Sequence, residues 1–422
     1  MGETKIFLAA FLAIFLAASL VRWFLNRINI RHLRRFGHEI PDVFQGEIEA
    51  ATLARMTDYT VESSRLESRE HLSADLVTLI ILFSGLFPWL VDRCLALNLS
   101  FVPSGLVLLA LLGIISGAPG IPFKLYRTFV IEKKYGFSTI TLRLWITDFL
   151  KGLLIEALLM AILLGAVLFL IQRAAGTWWL WVWLVFFLFQ LLLVWLYPVV
   201  IAPLFNKYEP LRDDDLKDSI IGMMAKAGLA VGGVYQMDAG KRSRHTNAYF
   251  TGLGKTKRIV LYDTLLASHA QEEILAVLAH EIGHRQRKHI LKQLIFLGTA
   301  SLVILYIAWR LLYWPPLYHA FGVGPVIPYA GLFLLAVIFE PLVFFLKPLG
   351  TAVLRKFERE ADDFSYELLG SSRPLCNALK RLAKDNLANL HPHPLYARFH
   401  YSHPPLAERI ARLQTLEPKN AP

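Results

Sequence analysis

Residues 178–200 read WWLWVWLVFFLFQLLLVWLYPVV, without one charged side chain. At about 1.5 Å of rise per residue such a run crosses a hydrocarbon core about 30 Å thick, whereas a helix in water must show a polar face to solvent. Six further apolar stretches lie near residues 6–25, 75–92, 101–119, 152–171, 292–313 and 326–346. The pattern predicts an α-helical multi-pass membrane protein with seven transmembrane helices. The stretches at 75–92, which holds Pro88, and 292–313, interrupted by Arg310, are the weaker members. Composition agrees: 55% of the 422 residues are hydrophobic and only 18% charged, which excludes a string of soluble domains.

The segments between the spans alternate in charge. Arg22, Arg27, Arg31, Arg34 and Arg35 follow the first run, Lys124, Arg127, Lys133 and Lys134 follow the third, and the long segment after the fifth is also rich in Lys and Arg. Loops after spans two, four and six are short and nearly uncharged. This is the pattern of an amino terminus outside and an uncleaved first anchor, because a cleaved signal carries its positive charge in front of the apolar run. The excess of Lys and Arg (44) over Asp and Glu (33) then reflects topology, not nucleic-acid binding. Cys94 and Cys376 show neither metal-ligand nor disulfide-framework spacing.

Residues 206–291 and 347–422 read as a small cytoplasmic α+β region. They alternate with membrane helices one to five (1–205) and six and seven (292–346). The first holds a predicted helix over 213–228, an Ala/Gly-rich turn, and two short strands, Asn247–Thr251 and Arg258–Tyr262, joined by the turn Gly252-Leu253-Gly254-Lys255. A helix is then predicted from Ser268, with Gln271 completing a capping box.

That helix carries His280-Glu281-Ile282-Gly283-His284. Positions i and i+4 share a helical face, so both imidazoles reach one ion, and two His with a carboxylate suit Zn²⁺ with a fourth position open to water. Glu281 lies beside that face and is the candidate general base for a water whose pKa the metal lowers toward about 7. Alone, the motif is also compatible with two surface histidines among Arg285, Arg287 and Lys288. The third ligand is sought after span seven, in Lys356-Phe357-Glu358-Arg359-Glu360-Ala361-Asp362-Asp363. Glu358 and Asp362, four apart, suit a zinc ligand and an acceptor for the spare N–H of a ligand His. Spacing alone leaves Glu358 and Glu360 both open.

The stretches PFKLYRTFVIEKKYGF (122–137), YPVVIAPLFNKYEPL (197–211), HTNAYFTGLGKTKRIVLYDTLL (245–266), LAHEIGH (278–284), FEREAD (357–362) and YSHPPLAERI (401–410) together resemble the type I CAAX prenyl endopeptidases, integral-membrane zinc proteases of the gluzincin type. The resemblance implies one Zn²⁺ per chain held by His280, His284 and Glu358, with Asp362 in support. It implies that Asn247 and His403 hold the oxyanion of the tetrahedral intermediate, and that Asn247, Ala248 and Tyr249 form an edge to which substrate adds as a strand. It further implies seven helices around a water-filled chamber, and a peptide or lipidated protein as substrate. The expected location is a bilayer, the bacterial inner membrane or the endoplasmic reticulum of a eukaryote, with the active site toward the cytoplasm.

Other signals are weaker. Gly254-Lys255-Thr256 ends like a phosphate-binding loop, but Tyr249 stands where that motif needs Gly, so no nucleotide is expected. His391, His393 and His400 are interleaved with prolines and read as a turn. Glu156 is read as lining the chamber, Glu340 before Pro341 as a break, and Glu132, Lys133 and Lys134 as a solvated interfacial face. Two rivals remain to cleavage of CAAX-type peptides: a quality-control metalloprotease acting on membrane proteins, and a channel or transporter with structural zinc. The second would need four protein ligands, usually including Cys.

Overall fold

The computed structural model describes residues 2–230, 232–251 and 258–417. The predicted turn Gly252-Leu253-Gly254-Lys255 lies outside them. The helices up to residue 369 are α1 (Gly2–Phe36), α2 (Ala50–Phe83), α3 (Leu86–Ala96), α4 (Phe101–Gly117), α5 (Gly120–Lys134), α6 (Leu142–Arg173), α7 (Trp178–Leu204), α8 (Asp214–Lys226), α9 (Asp263–Ser268), α10 (Gln271–Gln286), α11 (His289–Leu312), α12 (Pro315–His319) and α13 (Pro328–Leu369). Three short helices close the chain: α14 (Arg373–Asp385), α15 (Pro394–His400) and α16 (Leu406–Gln414).

Five helices (α1, α6, α7, α11 and α13) are long and apolar enough to cross a bilayer, and the count reaches seven if each bent pair, α2 with α3 and α4 with α5, makes one span. The protein is an integral, multi-pass membrane protein. The 60° bend of the first pair falls at Ser84-Gly85, where Gly85 adopts φ +85, and not at Pro88. Pro88 sits in the first turn of α3, where its missing N–H has no helical partner to lose. Arg310 does not interrupt the sixth span; it lies in the last turn of a continuous α11, where a cation suits the helix dipole. Nor does Glu340 mark a break: α13 runs unbroken through Pro341, and Glu340 accepts a 2.6 Å hydrogen bond from Arg22 on α1.

The α+β part is built on a four-stranded sheet of β1 (Tyr208–Pro210), β2 (Gly233–Met237), β3 (Ala248–Thr251) and β4 (Arg258–Tyr262), in the order β1-β2-β4-β3. β3 and β4 pair antiparallel, as expected for the two predicted strands, with Ala248 opposite Leu261. The sequence reading passed over β2, which lies between Gly232 and Asp238 and pairs parallel to β4. Its partner is 25 residues away in register, so no local turn signals it. β3 is an edge strand.

The helix predicted from Ser268 begins at Gln271 instead. Ser268 ends α9 and Ala270 is the cap, with its N–H donating to the Glu273 carboxylate at 2.8 Å. Tyr262-Asp263 had already turned the chain into helix, with Asp263 Oδ1 accepting from Thr264 N at 2.8 Å and from Gly240 N at 2.9 Å. Behind α10, Leu261, Leu265, Ile274, Leu278 and Ile282 form a buried core with Ile220 and Met224 of α8.

Two helices from distant sequence meet at small residues. A Cβ on Gly283 of α10 would lie 2.9 Å from both Cα and O of Ala361 on α13. Glycine and alanine at this crossing let the two backbones touch, and the approach carries Glu358, three residues before Ala361, up to the two histidines.

Candidate active site

His280 is buried on α10, and His284, one turn on, is half-buried. Their Nε2 atoms stand 3.2 Å apart. Glu358 comes in from α13, with Oε1 3.1 Å from His284 Nε2 and Oε2 3.4 Å from His280 Nε2. One ligand atom from each of the three lies within 4.8 Å of the others. Glu358 Oε2 is buried and takes part in no hydrogen bond among the described residues. A buried carboxylate that sets one oxygen against each of two imidazole nitrogens, with Oε2 making no hydrogen bond among the described residues, fits a cation.

The surrounding groups fix these side chains. Asp362 Oδ1 lies 2.9 Å from His280 Nδ1, so Nδ1 carries the proton donated to Asp362 and Nε2 is left to face Glu358. Arg409 of α16, itself buried, donates to both Asp362 oxygens from Nε at 2.8 Å and Nη2 at 2.5 Å, and its Nη1 lies 3.5 Å from Glu358. Burial and the Arg409 charge push His280 toward its neutral form, but Asp362 and Glu358 outweigh them and raise its pKa above the ordinary value. On the other side, His284 Nδ1 meets His289 Nδ1 at 3.0 Å, and His289 Nε2 meets Glu360 at 2.9 Å. Phe357 stacks on His289 at 4.3 Å between ring centres.

Glu281 is half-buried, and its carboxylate makes no hydrogen bond or ion pair among the described residues. His403 brings Nε2 to 3.3 Å from Glu358 Oε1 while its side chain stays 60% exposed, so it borders the cluster from the open side. The other histidines of that region turn elsewhere: His391 Nε2 meets Glu39 O at 2.6 Å, and His393 Nδ1 accepts from Leu395 N at 3.2 Å. Asn247 is exposed at the head of β3, with its Oδ1 accepting from Ala248 N at 2.8 Å, and no hydrogen bond joins it to the histidines. Ala248 is buried, and the Tyr249 hydroxyl lies 3.2 Å from that of Tyr208.

The segment before Asn247 is clasped from two sides. His245 Nδ1 reaches Asn386 Oδ1 at 2.8 Å and Nε2 reaches Glu132 at 3.2 Å, while Tyr59 donates to the other Glu132 oxygen at 2.7 Å. Phe137 stacks on the imidazole at 4.0 Å. Glu132 is therefore no solvated interfacial residue. The fold of 239–247 back onto the end of α5, through the Ser138–Ser243 bridge, encloses it.

Arg409 and His289 escaped the sequence reading. Arg409 stands within the quoted YSHPPLAERI stretch, but nothing local ties it to a residue 47 positions earlier. His289 follows His284 by five, off the helical repeat, and a left-handed Lys288 (φ 56) separates their helices.

The membrane helices and the His-His-Glu group of His280, His284 and Glu358 define an integral-membrane metallopeptidase. Residues 29–207 match the family model described as CAAX prenyl protease N-terminal, five membrane helices, and residues 210–417 match peptidase family M48. The chain belongs to peptidase family M48. It is 34% identical to CAAX prenyl protease 1 of Saccharomyces cerevisiae, over 90% of this chain and 90% of that protein. It is 33% identical to the CAAX prenyl protease 1 homolog of Homo sapiens, over 81% of each. The crystal structure of S. mikatae Ste24p superposes with a TM-score of 0.90 at 30% identity, covering 97% of this chain and 99% of that one.

Proposed function

We propose that this metalloendopeptidase depends on one Zn²⁺ held by His280, His284 and Glu358 and cleaves CAAX-type prenylated, or similar, peptides near their carboxyl terminus. The observation that supports the zinc reading is the convergence of two Nε2 atoms and a buried carboxylate, one oxygen of which makes no hydrogen bond among the described residues, from helices far apart in sequence. Zinc at such a site supplies Lewis-acid polarisation of a carbonyl and a water that is acidic near neutral pH. Glu281, with no hydrogen bond or ion pair among the described residues, takes the proton of the attacking water and passes it to the leaving amine. His403, on the exposed side, and Asn247, at the head of the edge strand, donate to the oxygen on which negative charge grows. Asp362 holds His280 in the tautomer that leaves Nε2 free.

A substrate strand laid along β3 at Asn247, Ala248 and Tyr249 would find main-chain partners on its open edge. The substrate class is read from the names of the relatives and from the membrane embedding of the chain. The basic segments after spans one, three and five support a site that faces the cytoplasm, in the endoplasmic reticulum or a bacterial inner membrane.

The test compares three substrates with purified, membrane-reconstituted protein: a farnesylated CAAX peptide, its unfarnesylated twin, and a misfolded membrane protein. Chelator-sensitive cleavage of the farnesylated peptide, restored by zinc, is the expected result. Preference for the misfolded protein would assign the enzyme to quality control instead, and absence of any chelator-sensitive peptidase activity would overturn the catalytic reading.

A further inference from the structure

Away from the His-His-Glu group, a cluster of arginines lies between α1 and α2. Arg27, Arg31 and Arg34 recur at helical spacing on one face of α1, and Arg65 and Arg69, four apart, share a face of α2. With Trp23 they line a single cavity of about 530 Å³. Its walls are fixed: the buried Asn26 donates from Nδ2 to Ser64 O at 2.8 Å and to Ser68 Oγ at 2.7 Å. The neighbouring carboxylates are engaged elsewhere. Glu67 faces His71 at 3.7 Å, Glu70 pairs with Arg127 at 3.2 Å, and Asp75 accepts from Ser19 at 2.5 Å and faces Arg22. Among the described residues no carboxylate forms an ion pair with any of the five arginines.

Five exposed arginines that line one cavity, with no carboxylate paired to them among the described residues, favour a multivalent negative group there. The positive-inside tendency asks only for cations on one side of the membrane and does not require two facing rows of them. The apolar run of the first span ends near residue 25, which places the arginines in the turns just beyond the hydrocarbon. On the side nearer the span, a second cavity of about 440 Å³ shares Trp23, Ser68 and Arg69 with the first. Its walls include Leu20 and Leu72, which are 64% and 66% exposed.

We propose that this groove binds the phosphate-bearing headgroup of an anionic phospholipid, with the acyl chains descending past Leu20 and Leu72. That second cavity also holds Ser19, Arg22, His71 and Asp75, so the acyl chains would follow its leucine side; a free phosphate would use the arginines but has no need of Leu20 and Leu72. The opposite side of the same α1 turns holds the chain that leads to His403: Asn29 Oδ1 accepts from His393 N at 2.9 Å, and His32 meets the His393 ring edge-on at 5.3 Å. A bound lipid therefore braces the helix against which that segment rests. The inference is independent of which peptide the enzyme cleaves.

The experiment uses the full chain in detergent, with thermal unfolding followed as phosphatidylglycerol, phosphatidylcholine or inorganic phosphate is added. Phosphatidylglycerol should raise the melting temperature saturably, while phosphatidylcholine and inorganic phosphate leave it within error. Each groove arginine removed should weaken the half-saturating lipid concentration about fivefold. Arg27→Gln/Arg31→Gln/Arg34→Gln and, separately, Arg65→Gln/Arg69→Gln test the two walls. Lys226→Gln/Arg373→Gln/Lys384→Gln removes three exposed cations elsewhere as the control. Should a wall variant fail to fold, native mass spectrometry of the unaltered protein should show phosphatidylglycerol retained over phosphatidylcholine. Equal lipid effects on groove and control variants, equal protection by inorganic phosphate, or no preferential retention of phosphatidylglycerol would overturn the proposal.

Discussion

Glu358 and Glu360, two positions apart on α13, meet different partners. Glu358 faces the imidazoles of His280 and His284 on α10, while Glu360 meets His289 and, through it, orients His284. Glu358→Gln should therefore lose the metal, whereas Glu360→Gln should keep it with about 10–100-fold weaker affinity, as metal titration would register. Glu281 makes no hydrogen bond or ion pair among the described residues, so Glu281→Gln should lower kcat by about 10²–10⁴-fold while zinc content stays at one per chain. Retained cleavage in the zinc-loaded variant would remove Glu281 from the mechanism. Because Asp362 and Glu358 raise the pKa of His280, protons compete with metal there from a higher pH than at an ordinary imidazole. Zinc loss to a fixed chelator concentration should accordingly quicken as pH falls through the histidine range.

At the scale of elements, the crossing of α10 and α13 decides whether a site exists. Gly283→Val forces side-chain atoms against the backbone of Ala361, and the helices must part. We expect about 1–3 kcal/mol of destabilisation in denaturant titrations together with weaker metal binding, since the same displacement carries Glu358 away. The clasp at His245 gives a second element-scale expectation. Burial lowers the His245 pKa, but Glu132 and Asn386 more than offset this and raise it above the usual 6.5. A histidine with a raised folded pKa adds stability that is complete below its unfolded value and lost as pH rises through the folded value. The melting-temperature advantage of the native chain over His245→Asn should thus be largest in acid and shrink as pH climbs past the histidine range.

Across the whole molecule, the HEIGH pattern and the apolar runs were legible because each is written in a local period, the helical turn or the bilayer thickness. The resemblance then singled out Glu358, which spacing had left level with Glu360. The clasp at Glu132, the parallel strand β2 and the support from His289 and Arg409 were not legible. Each joins residues brought together by the path of the chain and not by any repeat within it. On the proposed site a metal would bridge α10 and α13 and tie those distant parts together, so chelation should lower the melting temperature and zinc should restore it, by an amount that grows with free zinc.

By itself, the sequence determined that this chain lives in a membrane, that α10 presents two histidines and a glutamate on adjoining faces, and which glutamate-bearing segment could complete the set. Only the tertiary structure decided which carboxylate lies beside those histidines, and that Arg409 of α16 holds Asp362 behind them. The reason is physical: periodicity fixes what one helix face offers, while the identity of its partner depends on close contact at Gly283 and Ala361, a packing event between residues 78 positions apart.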